Sequence, residues 1–277
     1  MNGPGFRRFL RARITAGDVL VHAAIPAGLI LVYVSPITYE SLLFRPGASG
    51  LRDTYLATLG HADAAHLLGN VFGYVVLTSL SLVLLDGVGE RRLYYASFCA
   101  VLAFVPPLSS ALVRAYLELT APSLIGAYRG AGFSIVTAAF VGVLGMAIAV
   151  HQRRALGSPG RPGLLSGGLF ALAAFVPAVV VLESLPVAIV FGGIGGVGYL
   201  AGTGVIAKRN LNRPGGPRAV ALTGTAVLLL LGATGDLFLA ESGRVGRAHA
   251  IGLVAGFVVI WGVLAGCWVR SVVASRD

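Results

Sequence analysis

The sequence predicts an all-α polytopic membrane protein. Three observations carry this: only 12% of the residues are charged against 56% hydrophobic, the mean hydropathy is +0.86, and long uncharged apolar runs recur along the chain. A soluble domain of 277 residues needs far more charge to cover its surface. The apolar runs are continuous rather than alternating. They therefore read as helices crossing about 30 Å of hydrocarbon, not as strands.

Eight apolar segments, one membrane domain spanning 1–277, follow from this reading: Val19–Thr38, His66–Leu85, Leu93–Leu117, Phe133–Val150, Gly167–Leu182, Pro186–Ala207, Ala219–Ala240 and Ala248–Val269. The fifth is short and turns into the sixth at Glu183-Ser184-Leu185-Pro186, where a charge beside a proline fits a surface turn. The basic N-terminal residues precede a long run with no clear small-residue cleavage site, so that run is expected to be the first membrane helix rather than a removed signal. Tyr39–Ala65 is the longest outside loop, and its Leu42, Leu43, Phe44 and Leu56 fit a segment lying partly in the interface.

The net charge of +10 would suggest nucleic acid in a soluble protein. Here the basic residues sit at segment ends, as topology signals do, and no nucleic-acid partner is expected. With the N-terminus in the cytoplasm, 15 basic residues fall on cytoplasmic parts and 6 (Arg45, Arg52, Arg114, Arg129, Arg244 and Arg247) outside. This places both termini in the cytoplasm of a multi-pass cell-membrane protein. Merging segments five and six would carry Lys208–Arg218 outside, so the charge pattern favours two segments. Cys99 and Cys267 both lie in apolar runs, without metal-ligand spacing, and no structural disulfide, metal or cofactor is expected.

Polar groups at membrane depth are costly and mark candidate function. Three sets stand out. His61, His66 and Asn70 occur in HADAAHLLGN, and the four-residue spacing puts His66 and Asn70 on one helix face. Both can donate hydrogen bonds, as an oxyanion site needs, although buried polar residues also join helices. Gly130-Ala131-Gly132-Phe133-Ser134 opens an apolar helix, where a serine alone would read as an ordinary cap. Ala248-His249 opens the last segment, with Gly252 and Gly256 forming a small-residue face. Ser134, Ala138 and Gly142 offer a similar face, so the two helices can approach and bring His249 to the Ser134 hydroxyl. All three sets begin segments that run from outside to inside, so nucleophile, base and donors share one depth. Packing alone does not require that.

At these residues the chain resembles the rhomboid family of intramembrane serine proteases. The pattern H-x4-H-x3-N is matched by His61, His66 and Asn70, G-x-S by Gly132 and Ser134, and A-H-x2-G-x3-G by Ala248, His249, Gly252 and Gly256. An arginine in the first long loop resembles Arg52, and an E-R pair after the second helix resembles Glu90-Arg91. The resemblance implies a rhomboid-like bundle with a six-helix core, in which one helix separates the serine and histidine helices; here three apolar segments lie between them, two more than in the family. It implies a Ser134–His249 dyad with His66, Asn70 and the Ser134 N–H holding the oxyanion. His61, Arg52, Glu90, Arg91, Gly132, Gly252 and Gly256 would be structural. The substrates implied are single-span membrane proteins, cut near the outer face of the bilayer. The chain departs from the family pattern at Ile135, where glycine is common, at Ala138, where an aromatic is common, and at Leu51, where tryptophan is usual.

Two other readings compete. A rhomboid-like pseudoprotease would bind membrane proteins without cutting them. A small-solute transporter would want an internal repeat and a midplane polar site, and neither is visible in the sequence.

Overall fold

The computed structural model describes residues 14–157, 199, 208–212, 215–239 and 244–274. Within them the chain is helical, without strands. The long helices are α1 (Ala16–Val34), α3 (Ala64–Asp86), α4 (Arg91–Thr120), α5 (Ser134–Ala155), α6 (Gly216–Leu239) and α7 (Arg244–Ala274), with a short α2 (Leu51–Ala57) in the first loop. The six long helices each hold a stretch long and apolar enough to cross a membrane. The protein is a multi-pass helical membrane protein. The fifth and sixth sequence segments lie outside the described residues apart from Tyr199, so the expected eight-helix count is not decided there.

The helix ends follow local chemistry more closely than hydropathy. α1 starts at Ala16, ahead of the expected Val19. The Thr15 hydroxyl accepts from the Asp18 N–H, and the Asp18 carboxylate accepts from the Thr15 N–H, a closed capping box. It stops at Val34 rather than Thr38, because Ser35 precedes Pro36 and must be extended. At the other ends α5 runs on to Ala155 and α7 begins at Arg244, since helices continue past their apolar portions into polar flanks. α4 contains Pro106 and Pro107, each of which removes a backbone donor from its interior.

α5 is the centre of the bundle, with α3, α4, α6 and α7 packed around it. Its membrane window is 94% buried, against 17% for α1, which lies at the periphery. A helix hydrophobic all round belongs in the interior. Ala138, Ala139, Gly142, Gly145, Ala147 and Ala149 let its neighbours come close. Tyr74, Phe98, Phe133 and Phe140 pack edge-on or tilted beside it, linking α3, α4 and α5.

A charged cluster ties the α1 N-terminus to the α3–α4 turn. Arg91 pairs with Asp18 and, at 3.2 Å, with Asp86, while the Tyr95 hydroxyl donates to Asp18. Glu90 pairs with Arg154 at the end of α5. The Glu90-Arg91 pair thus joins the start of α4 to three other helices, α1, α3 and α5, at one end of the bundle, away from the loops described next.

The loop 35–63 packs onto the protein. Leu42, Leu43 and Phe44 are buried against the protein. Phe44 pairs its backbone with Gly130, donating at 2.8 Å and accepting at 3.2 Å. Beneath this pairing Phe44, Ala57, Val113 and Leu117 form a small separate core. The loop's unpaired backbone groups would be costly if left facing apolar surroundings, and this pairing satisfies two of them.

Candidate functional site

The serine loop is anchored before the serine is reached. The Gly132 N–H donates to the Ala57 carbonyl at 2.8 Å, so the first loop holds the second. Gly132 has φ +137°, a conformation that side-chain-bearing residues rarely adopt. A Cβ there would stand 2.9 Å from His66 Cε1 and 3.5 Å from Ser134 Oγ. Glycine is therefore required twice, by dihedral and by space, and the His66 ring and the Ser134 hydroxyl both lie against it.

His66 is placed by its own helix start. Asp63 caps α3, its carboxylate accepting from the His66 N–H at 2.8 Å. The His66 ring meets His61 edge-on, with centroids 5.2 Å apart. Its Nε2 is buried and has no hydrogen-bond partner among the described residues. One turn further on, Asn70 is 4% exposed, and its Nδ2 lies 3.1 Å from His61 Nε2. His61 Nδ1 lies 3.1 Å from the Leu59 carbonyl oxygen. His61 is thus a buried bridge to Asn70, not merely an organiser of the loop surface. Burial pushes its imidazole down to about 4, so it is neutral at ordinary pH.

α5 and α7 touch backbone to backbone. A Cβ on Gly252 would lie 2.6 Å from the Ile135 carbonyl oxygen, and one on Gly256 2.5 Å from Ala139 Cα. Gly142 of α5 in turn approaches the Gly256 carbonyl carbon. The close approach expected of Gly252 and Gly256 is present. The facing residues on α5 are Ile135, Ala139 and Gly142 rather than Ser134, Ala138 and Gly142. The reason is register: three- and four-residue steps from Ile135 follow the contact line, and Ser134 is turned off it toward the cavity. His249 lies in the second turn of α7, not at its first residue, and is 3% exposed.

These pieces converge. Ser134, His249, His66 and Asn70 all line one cavity of about 760 Å³, walled by α3 on one side and by Leu229, Gly232 and Ala233 of α6 on the other. A second cavity, of about 330 Å³, lies under the paired loops, and Ser134 and His66 line it too. Ile135 lines this second cavity while its backbone faces Gly252.

The other anticipated residues are apart from this convergence. Arg52 is exposed on α2. Glu90 and Arg91 work in the ion pairs at the far end of the bundle. Among the described residues, no cluster of three or more histidine, cysteine or acidic side chains that could hold a metal is present.

Sequence reasoning missed Thr137, which lines the larger cavity and whose Oγ1 is buried with no partner among the described residues. Its position three after Ser134 on a helix was the available signal. It also missed Asp63, legible as an aspartate three residues before His66, and Asp18, hidden by its place at the edge of an apolar run. Comparisons with protein-family models, with curated proteins and with solved structures return no match.

Proposed function

We propose that this protein is a rhomboid-type intramembrane serine endopeptidase. The observation that supports it is the convergence of Ser134, His249, His66 and Asn70 on one cavity, from three different helices. In the proposed reaction the Ser134 Oγ attacks a peptide carbonyl carbon and His249 accepts the hydroxyl proton. The carbonyl oxygen becomes an oxyanion, held by donors from His66, Asn70 and the Ser134 backbone. The tetrahedral species collapses, the C–N bond breaks, and His249 delivers its proton to the leaving amine. Water, deprotonated by His249, then hydrolyses the acyl-enzyme and restores Ser134. The buried His66 Nε2, with no partner among the described residues, suits a donor reserved for a ligand.

Single-span membrane proteins are the proposed substrates. A helix that enters between α3 and α6 meets the cavity from the bilayer side and must unwind to present a carbonyl to Ser134. The proposed orientation puts both termini in the cytoplasm and the site in the outer half of the membrane, supported by the 15-to-6 distribution of basic residues. Cysteine-accessibility mapping at Ser158 and Ser184, with Cys99 and Cys267 replaced, tests it: Ser158 reacts from the cytoplasm and Ser184 from outside.

Labelling with a serine-directed phosphonate tests the chemistry. The intact protein labels, and Ser134→Ala and His249→Ala do not. In a cleavage assay the double variant is no worse than either single one, since members of one catalytic unit are not additive. Labelling that persists in Ser134→Ala, or full activity in either single variant, overturns the dyad.

A further inference from the structure

We propose that His61 is a positioning residue for the site: by accepting a hydrogen bond from Asn70 and packing against His66, it sets the orientation of both side chains that receive the oxyanion. The inference rests on the protease reading above.

The argument begins at a backbone carbonyl. The Leu59 oxygen can only accept, so His61 Nδ1, 3.1 Å away, must carry the proton. A neutral imidazole protonated on Nδ1 has a bare lone pair on Nε2. The Asn70 atom 3.1 Å from that lone pair must then be the amide nitrogen, since two acceptors would repel. One carbonyl thereby resolves the orientation of an amide that its shape alone leaves ambiguous. Asn70 has two N–H bonds. His61 engages one and leaves the second to donate.

The tautomer is protected by the surroundings. His61 is buried, which disfavours its cation, and the titratable groups facing it are His66 and Asp63. A cationic His61, or one protonated on Nε2, would call for the Asn70 oxygen instead and turn the amide over. The donor would then point away from its present direction.

The same ring braces His66. His61 meets it edge-on at an interplanar angle of 64°, and a side chain at Gly132 would collide with the imidazole, its Cβ standing 2.9 Å from His66 Cε1. The His66 imidazole thus packs on the His61 ring in a space that only a glycine at 132 leaves open, and its Nε2 is buried. His61 itself lines neither cavity and is not required to touch a substrate.

The test separates positioning from packing. His61→Phe keeps a ring against His66 and removes the acceptor; His61→Gln keeps an acceptor for Asn70. With a single-span substrate in detergent, His61→Phe lowers kcat about 10²-fold, as loss of an oxyanion donor does, with KM changed less than about threefold. In the Asn70→Ala background the same change has no further effect, because His61 acts through Asn70. His61→Gln recovers kcat to within about tenfold of the intact protein. Nitrogen-15 NMR of the unsubstituted protein, with labelled histidine, finds His61 in the Nδ1–H form at neutral pH. An Nε2–H tautomer, additive losses in the double variant, or a His61→Phe protein as active as its parent overturns the role of His61 while leaving the protease reading standing. An intact protein that does not label at Ser134 with the phosphonate overturns the protease reading, and the positioning role with it.

Discussion

Gly252 of α7 lies against the backbone of Ile135 on α5, so closely that a Cβ at 252 would stand 2.6 Å from the Ile135 carbonyl oxygen. The neighbour is helix backbone in the most buried helix of the bundle, so α7 must give way. Gly252→Ala therefore displaces α7 and His249 with it. We expect overpacking to cost about 1–3 kcal/mol. Misplacement of His249, the proposed base, is expected to lower phosphonate labelling about 10²-fold. Gly262→Ala, on the same helix with open space at that position, leaves both unchanged. Thermal unfolding and labelling rates measured side by side check this; a Gly252→Ala protein with unaltered labelling separates the helix contact from the chemistry.

Asn70 and His66 are expected to affect turnover rather than binding. Removing one oxyanion donor costs about 10²–10³ in kcat. Asn70→Ala and His66→Ala should each show that loss with little change in KM. A rise in KM with kcat intact would assign Asn70 to helix packing, as a buried polar link between His61 and α3.

Ile135 tests whether the site is open. In the family that the chain resembles glycine is common at this position, and here a stiff branched residue stands beside Ser134, the proposed nucleophile. Its backbone packs on Gly252 and it is half-buried against the main core. Ile135→Gly is expected to remove core contacts and cost about 2–5 kcal/mol. Phosphonate labelling at Ser134 is expected to be no faster than in the intact protein. A large gain in labelling on that substitution would identify a blocked site and favour the non-cleaving binder.

Arg91 is expected to matter far from the chemistry. Asp18 is 2% exposed, and Arg91 neutralises it while also bonding Asp86. Removing one partner of a buried pair leaves an uncompensated charge, typically at about 3–5 kcal/mol. Arg91 is 31% exposed, so the lower end applies. Arg91→Ala should lower the unfolding temperature strongly, and Asp18→Asn in the same protein should restore part of it. Equal stability of Arg91→Ala and the parent would show that water already compensates Asp18.

Much of this architecture is legible without coordinates because of what a bilayer requires. Backbone groups in hydrocarbon must be satisfied within the segment, so an uncharged apolar run of sufficient length has to be a helix. That is why the described spanning helices agree with the apolar runs to within a few residues, and why their ends do not. The ends are set by Thr15, Asp63 and Ser35-Pro36, through hydrogen bonds that hydropathy does not register. The spacing of His66 and Asn70 and the glycine pair of α7 were likewise readable, since helical periodicity alone puts each pair on one face.

What the tertiary structure decided is which faces meet. The contact line on α5 runs through Ile135, Ala139 and Gly142 because Gly252 and Gly256 admit backbone there, which turns Ser134 toward the cavity it shares with His249. The burial of Leu42, Leu43 and Phe44 depends on pairing with Gly130, more than eighty residues away in the chain. The tautomer of His61 and the orientation of Asn70 depend on where the Leu59 carbonyl comes to rest. A period in the sequence specifies a helix and its apolar stripe, but a rotation of one residue about the helix axis leaves that pattern almost unchanged. Only close packing against a particular neighbour resolves it.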